Sequence, residues 1–171
     1  MGYALVTPGH DWKYSEATQD GSEIMRQRLG GDQSGRPLDR LPLDTGLLSL
    51  DQLNLLLRNL PVDISFADEH DEVRYYSEGR RVFPRSPGVI GRKVQNCHPP
   101  KSVDKVEAIL KAFRAGTQDV AEFWLEQGGR FIHIRYFALR DQERTYRGTL
   151  EVVQDVTDIR ALKGERRLLD W

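Results

Sequence analysis

Phe131-Ile132-His133-Ile134-Arg135-Tyr136-Phe137, followed past a polar turn by Gly148-Thr149-Leu150-Glu151-Val152 and Gln154-Asp155-Val156-Thr157-Asp158-Ile159, is the stretch that decides the fold. Side chains of a strand alternate between faces, so Phe131, His133, Arg135 and Phe137 share one side while Ile132, Ile134, Tyr136 and Ala138 share the other. Both sides are largely apolar, so the alternation leaves open which of them looks inward. Glu151 poses the same question on the following strand, where Leu150 and Val152 share a face. Upstream, residues 120–125 carry aromatic and β-favouring types and run into Gly128-Gly129, a pair suited to a tight hairpin turn. The spacing therefore predicts three consecutive antiparallel strands.

The preceding segments supply helices and a further hairpin. Ser49 with Gln52 has capping-box spacing, and Leu50, Leu53, Leu57 and Leu60 then recur at intervals of three and four. Pro61 disfavours helical geometry in the residue before it and ends that helix. Leu55 and Leu56 widen the stripe into a second apolar face, which predicts contact with something beyond the helix's own domain. The leucine seam predicts a homodimer built on this helix. Val62, Ile64 and Phe66 alternate with polar residues, and Asp68-Glu69-His70-Asp71 provides turn chemistry before a second short strand at 72–76. Asp63, Asp68, Glu69 and Asp71 read as solvated strand-end and turn residues. Gly79, Pro84, Pro87, Gly88 and Gly91 keep the next stretch irregular, and a helix bearing Val103, Val106, Leu110 and Phe113 runs from about Ser102 to Gly116. Residues 158–169, charged with sparse leucines, predict an exposed terminal helix. The order is helix, two strands, irregular crossover, three strands, helix, which predicts an α+β domain with a five-stranded antiparallel sheet and helices over one face.

That order, closing on Asp155-Val156-Thr157, resembles the PAS family, whose last strand often ends in an Asp-Ile-Thr type motif before a signalling helix. A carboxylate and a hydroxyl at such a junction satisfy exposed backbone donors. Leu60-Pro61-Val62-Asp63-Ile64, Val94-Gln95-Asn96-Cys97-His98-Pro99-Pro100 and the two strands quoted above are similar to a bacterial and archaeal PAS subgroup often found behind a hemerythrin-like domain. Arg166-Arg167-Leu168-Leu169-Asp170-Trp171 resembles the C-termini of that subgroup. The 43 residues ahead of the domain are too few for that four-helix bundle, so its iron chemistry is not implied. The resemblance implies a PAS fold over residues 44–171, flanked by N- and C-terminal helices, and a sensory role that binds and reports. Residues 1–43, interrupted by glycine and proline and carrying Trp12, Tyr14 and a short helical pattern at 22–29, read as a flexible or loosely docked leader.

Composition narrows the function. The chain has 171 residues, 39% hydrophobic and 30% charged, with net charge −1. No global field draws it to nucleic acid or an anionic membrane, and no run nears the ~20 apolar residues of a membrane span. One cysteine, Cys97, excludes an internal disulfide framework, and the first residues lack the basic start and apolar core of a signal peptide. These features predict a soluble cytoplasmic protein. No nucleophile elbow, phosphate-binding glycine loop or His/Glu metal spacing marks an enzyme.

Candidate binding residues cluster in two places. Residues 79–103 hold Arg80, Arg81, Arg85, Arg92, Lys93 and Lys101 and no acidic residue, a patch suited to a small polar or anionic ligand. Within it, Cys97 and His98 occupy the Asn-Cys-His-Pro-Pro run. Haem-binding PAS domains use a histidine from this region, but His98 precedes Pro99-Pro100 instead of lying inside the helix, and His10, His70 and His133 are each isolated. Light-sensing PAS domains bond flavin through an Asn-Cys-Arg run, whereas here His98 replaces the arginine and Gln154 adjoins Asp155. No cofactor or metal is therefore assigned. His133 and Arg135 stand between Phe131 and Phe137, and would hold an anion if their face lined a cavity. The expected pocket thus comprises Arg92, Cys97, His98, His133 and Arg135.

Overall fold

In the computed structural model, which describes residues 40–79 and 81–168, seven strands and three α-helices follow one another. The readings of residues 1–39, of Arg80, of the Lys101 side chain and of Leu169-Asp170-Trp171 lie outside the described residues. Strands β1 (Arg40–Leu43) and β2 (Gly46–Ser49) pair into a two-stranded ribbon ahead of helix α1 (Leu50–Arg58). This ribbon has no counterpart in the sequence reading, where Pro42 falls in the leader; Pro suits an edge strand, and Gly46 supplies a φ of 153° at the turn. The expected capping box starts α1: Ser49 Oγ accepts from the Gln52 N–H at 3.1 Å, and Gln52 Oε1 accepts from the Ser49 N–H at 2.9 Å.

The domain proper follows the anticipated order. Strands β3 (Asp63–Asp68) and β4 (Val73–Tyr76) form a hairpin, then 3-10 turns at Pro87–Val89 and Val94–Cys97 lead into helix α2 (Pro100–Ala115). Gly116, at φ 69°, ends α2 in the left-handed conformation that an L side chain resists. Strands β5 (Val120–Gln127), β6 (Arg130–Arg140) and β7 (Tyr146–Asp155) complete a five-stranded antiparallel sheet of order β4-β3-β7-β6-β5. The last strand is thus the central one. Helix α3 (Thr157–Ala161) follows, shorter than the tail's charge pattern predicts. The chain turns extended at Leu162 and left-handed at Gly164, and Leu162 and Leu168 stand in solvent, so no apolar stripe extends the helix. The junction motif behaves as its chemistry requires: Thr157 Oγ1 accepts from the Phe131 N–H at 2.8 Å, and Asp155 Oδ1 accepts from the Thr157 N–H at 3.1 Å.

Register divides the sheet into two faces. Ser65, Glu151, Tyr136 and Ala121 form one row across it, and Ile134 pairs with Val153 in the adjacent row on the same side. Ile132, Ile134 and Val153 are buried on this side, packed against Val82 and Phe83 from the segment that crosses from β4 to α2. Phe113 of α2 is fully buried. Among the described residues, no helix is long and apolar enough to cross a membrane.

Gly148 marks the tightest approach in the sheet. Its φ is 139°, and a Cβ there would lie 2.3 Å from the Ala67 carbonyl oxygen and 2.7 Å from Phe66 Cε2. We expect Gly148→Ala to destabilise the domain by about 2–4 kcal/mol, through backbone strain and overpacking together. Gly129→Ala, at φ 74° with open space around it, carries the strain alone and should cost about half as much. Thermal melts of the two variants check this; equal losses would mean that the β3–β7 approach is not limiting.

Candidate functional site

The crossover between β4 and α2 contains too much glycine and proline for long elements, so side chains must fasten it. Arg81, its side chain 7% exposed, donates from Nη1 to the Ser77 carbonyl at 2.7 Å and Ser77 Oγ at 3.0 Å, and from Nη2 to Ser65 Oγ at 3.3 Å. Burial lowers its pKa from the ordinary value, with Asp63 nearby opposing that shift, and a guanidinium remains charged regardless. Asp63 Oδ2 accepts from the Val82 N–H at 2.6 Å, tying the crossover to the start of β3. Residues 91–93 run beside β4, with the Val73 N–H donating to the Arg92 carbonyl at 2.9 Å.

The turn acids are fasteners too. Asp68 accepts from the backbone N–H groups of His70 and Glu72 and from Arg74 Nε at 2.5 Å. Burial opposes its charge, but these donors outweigh it and hold the carboxyl below its ordinary value. Asp71, in the left-handed region at φ 64°, pairs with Arg114 of α2 and accepts from Gln95 Nε2 at 3.1 Å. Asp63, Asp68 and Asp71 are buried, which corrects their reading as solvated turn residues. The crossover and α2 fold over the turn, and a carboxylate so covered needs a full set of donors.

Beneath the crossover lies a cleft of about 60 Å³. The β3–β4 hairpin lines it with Ala67, Val73 and Tyr76; the crossover contributes Arg85, Val89, Val94, Cys97 and His98. Val106 and Leu110 of α2 and Thr149 and Glu151 of β7 close it. Arg85 Nη2 and Glu151 Oε2 are 2.9 Å apart, with side chains 19% and 13% exposed. The Tyr136 hydroxyl donates to the other Glu151 oxygen at 3.2 Å. Burial first, and the Glu151 charge second, push the Tyr136 phenol far above its ordinary pKa, so it remains a donor. Thr149 Oγ1 and the Tyr146 hydroxyl share a hydrogen bond of 2.8 Å, and His98 Nδ1 lies 2.7 Å from the Val94 carbonyl.

Two of the five expected pocket residues meet here. Cys97 and His98 line the cleft. Arg92 is exposed and takes part through its backbone carbonyl rather than by lining the cleft. His133 and Arg135 stand on the opposite face, because the Tyr136–Glu151 pairing turns the even-numbered residues of β6 toward the cleft. There His133 Nε2 lies 2.5 Å from Glu122 Oε1, and the Arg135 guanidinium sits 5.6 Å from the Phe137 ring centroid. Of the described cations in the acid-free stretch, Arg81 and Arg85 are engaged as above and Lys93 Nζ donates to the His70 carbonyl at 2.6 Å, while Arg92 is exposed. Sequence reasoning placed Arg85 in the basic patch but not among the five pocket residues, and it missed Tyr136 and Thr149 as site residues. The signal for Arg85 was present: a basic stretch without acids, opposite a β7 whose apolar run is interrupted by Glu151. At about 60 Å³ the cleft is far below the ~300–1,000 Å³ of pockets for drug-sized ligands.

A family model for a PAS domain matches residues 53–157. Among solved structures, the C-terminal domain of a protein from Streptococcus mutans is 37% identical, with a TM-score of 0.69, covering 72% of this chain and 97% of that one. A PAS domain from Colwellia psychrerythraea is 16% identical with a TM-score of 0.47, covering 64% of this chain and 98% of that one. A sensory box sensor histidine kinase from Vibrio cholerae is 16% identical with a TM-score of 0.45, covering 61% and 89%. No curated protein matches the sequence.

Proposed function

The chain belongs to the PAS domain family, and from that premise we propose that it is a sensory or regulatory module in which a small ligand in the cleft alters the packing of the terminal segments. It binds and reports rather than catalyses, and a lone cysteine suits work in the reducing cytoplasm. The observation that carries this reading is Glu151. It faces the cleft, holds the crossover through Arg85, and lies on the same strand as Asp155, where the chain leaves the sheet for α3. A ligand that shifts the Arg85–Glu151 pair therefore acts on the crossover and on the strand leading to the C-terminus together.

Glu151→Gln keeps the side chain's size and removes its charge, leaving Arg85 without its counter-ion. Amide hydrogen exchange should then quicken, roughly tenfold for about 1.4 kcal/mol of lost local stability, both in the crossover at 85–98 and at the junction 155–161. Quickening confined to the crossover would contradict coupling to the terminus.

A second reading, a ligand-free module for dimerisation or protein docking, is supported by α1. Leu50, Leu55 and Leu56 are each more than half exposed, at 58%, 57% and 55%, while Leu53 and Leu57 are half-buried. Such a cluster suits a second copy of the same helix better than water. Light scattering at micromolar concentration should show a homodimer, reduced to monomer by Leu55→Lys with Leu56→Lys. A wild-type chain at monomer mass would remove dimerisation and leave docking to another protein as the second reading.

A further inference from the structure

The chemistry of the cleft walls narrows what can occupy it. Phe66, Ala67, Val73, Val89, Val94, Val106 and Leu110 are half of the fourteen residues that line it, and most of the polar side chains among the others already have a partner. Arg85 and Glu151 neutralise each other, Thr149 is bonded to Tyr146, and His98 Nδ1 lies against the Val94 carbonyl. Among the described residues, the side-chain nitrogen and oxygen atoms buried without a partner are Gln95 Oε1 and Arg135 Nε, and neither residue lines the cleft. We propose that the cleft takes a small, uncharged, apolar molecule of a few non-hydrogen atoms. This rests on the ligand-sensing reading above and replaces the anionic ligand that the basic crossover suggested.

Charge decides against an anion. An anion at Arg85 either displaces Glu151 or shares the guanidinium with it, and in both cases two negative charges then stand beside one cation in a half-buried site. A cation meets the converse difficulty at Arg85. An uncharged apolar molecule competes for neither charge, so it can press on the Arg85 and Glu151 side chains and shift the pair without separating it. It also displaces little, because water needs two to four polar partners to be held in such a space. Size then limits the occupant. A cavity of about 150 Å³ lined by apolar side chains takes benzene, so about 60 Å³ takes roughly two to four non-hydrogen atoms. Ligands that small bind no tighter than roughly tens of micromolar. The occupant is therefore of the size of a dissolved diatomic or triatomic gas or a very short alkyl compound. A weak, rapidly exchanging ligand of this kind suits a module that tracks concentration rather than stores its ligand.

Xenon is the probe, applied under pressure to the full chain with labelled methyl groups. The methyl resonances of Val73, Val89, Val106 and Leu110 should shift saturably, while Leu150 and Val152 on the opposite face stay still. Val106→Phe fills the space and should abolish the shifts; Ala67→Val, a smaller addition, serves if Val106→Phe does not fold. Shifts that persist in a folded filled variant, or that spread evenly over both faces, overturn the proposal. Acetate is titrated in parallel. Saturable acetate shifts around Arg85 without a xenon response overturn the apolar class but leave ligand sensing standing. If neither probe binds, the class and the ligand-sensing reading fall together, and dimerisation or docking remains.

Discussion

Strand β7 is hydrogen-bonded along both edges, to β3 on one side and β6 on the other, and this double ladder constrains the rest of the domain. Side chains of a strand alternate, so a single register assigns every residue of three strands to one face or the other. With Glu151 opposite Ser65 and Tyr136, the inner face collects Thr149, Glu151, Val153, Ile134 and Tyr136. A slip of one residue would send Glu151 outward and bring Val152 beneath the crossover. Gly148 is what lets the ladder close, since any side chain there would collide with the backbone of β3.

Charge provides the second layer of order. The crossover carries cations without acids, while the β3–β4 turn carries acids in quick succession. Their meeting accounts for Lys93 near Glu72 at 3.5 Å, and at the start of β3 Asp63 takes the Val82 N–H and lies near Arg81. At Asp63 and Arg81, which are buried, a charge left unpaired would cost several kcal/mol, so that pair bears more on which arrangement forms than on how stable it is. The Arg85–Glu151 pair differs from the others in location: it borders the cleft, where an occupant can disturb it.

Most of the fold was legible because its signals are local. The capping box at Ser49, the αL stop at Gly116, the Gly128-Gly129 turn and the alternation of β6 each follow from neighbouring residues. The β1–β2 ribbon was not, since Pro42 and Gly46 mark an edge strand and a turn as readily as a loop. The site was legible only in part, for a different reason. His133 and Arg135 sit on a strand apolar on both sides, so the face that lines the cleft is set by pairing with a strand that comes later in the chain. Cys97 and His98 escaped this ambiguity, because a crossover between the hairpin and the helix can cover only one face of the sheet. Arg85 and Glu151 lie far apart in sequence, and nothing local couples them.

The account therefore turns on which face of the sheet the crossover and α2 cover. Nuclear Overhauser contacts between methyl groups of the labelled full chain read this directly. The Thr149 methyl should show contacts to Leu110 and Val94, while Leu150 and Val152 show none to those two residues. Contacts from Leu150 or Val152 to Val94 and Leu110, with Thr149 silent, would contradict the register and with it the cleft, the ion pair and the proposed ligand class.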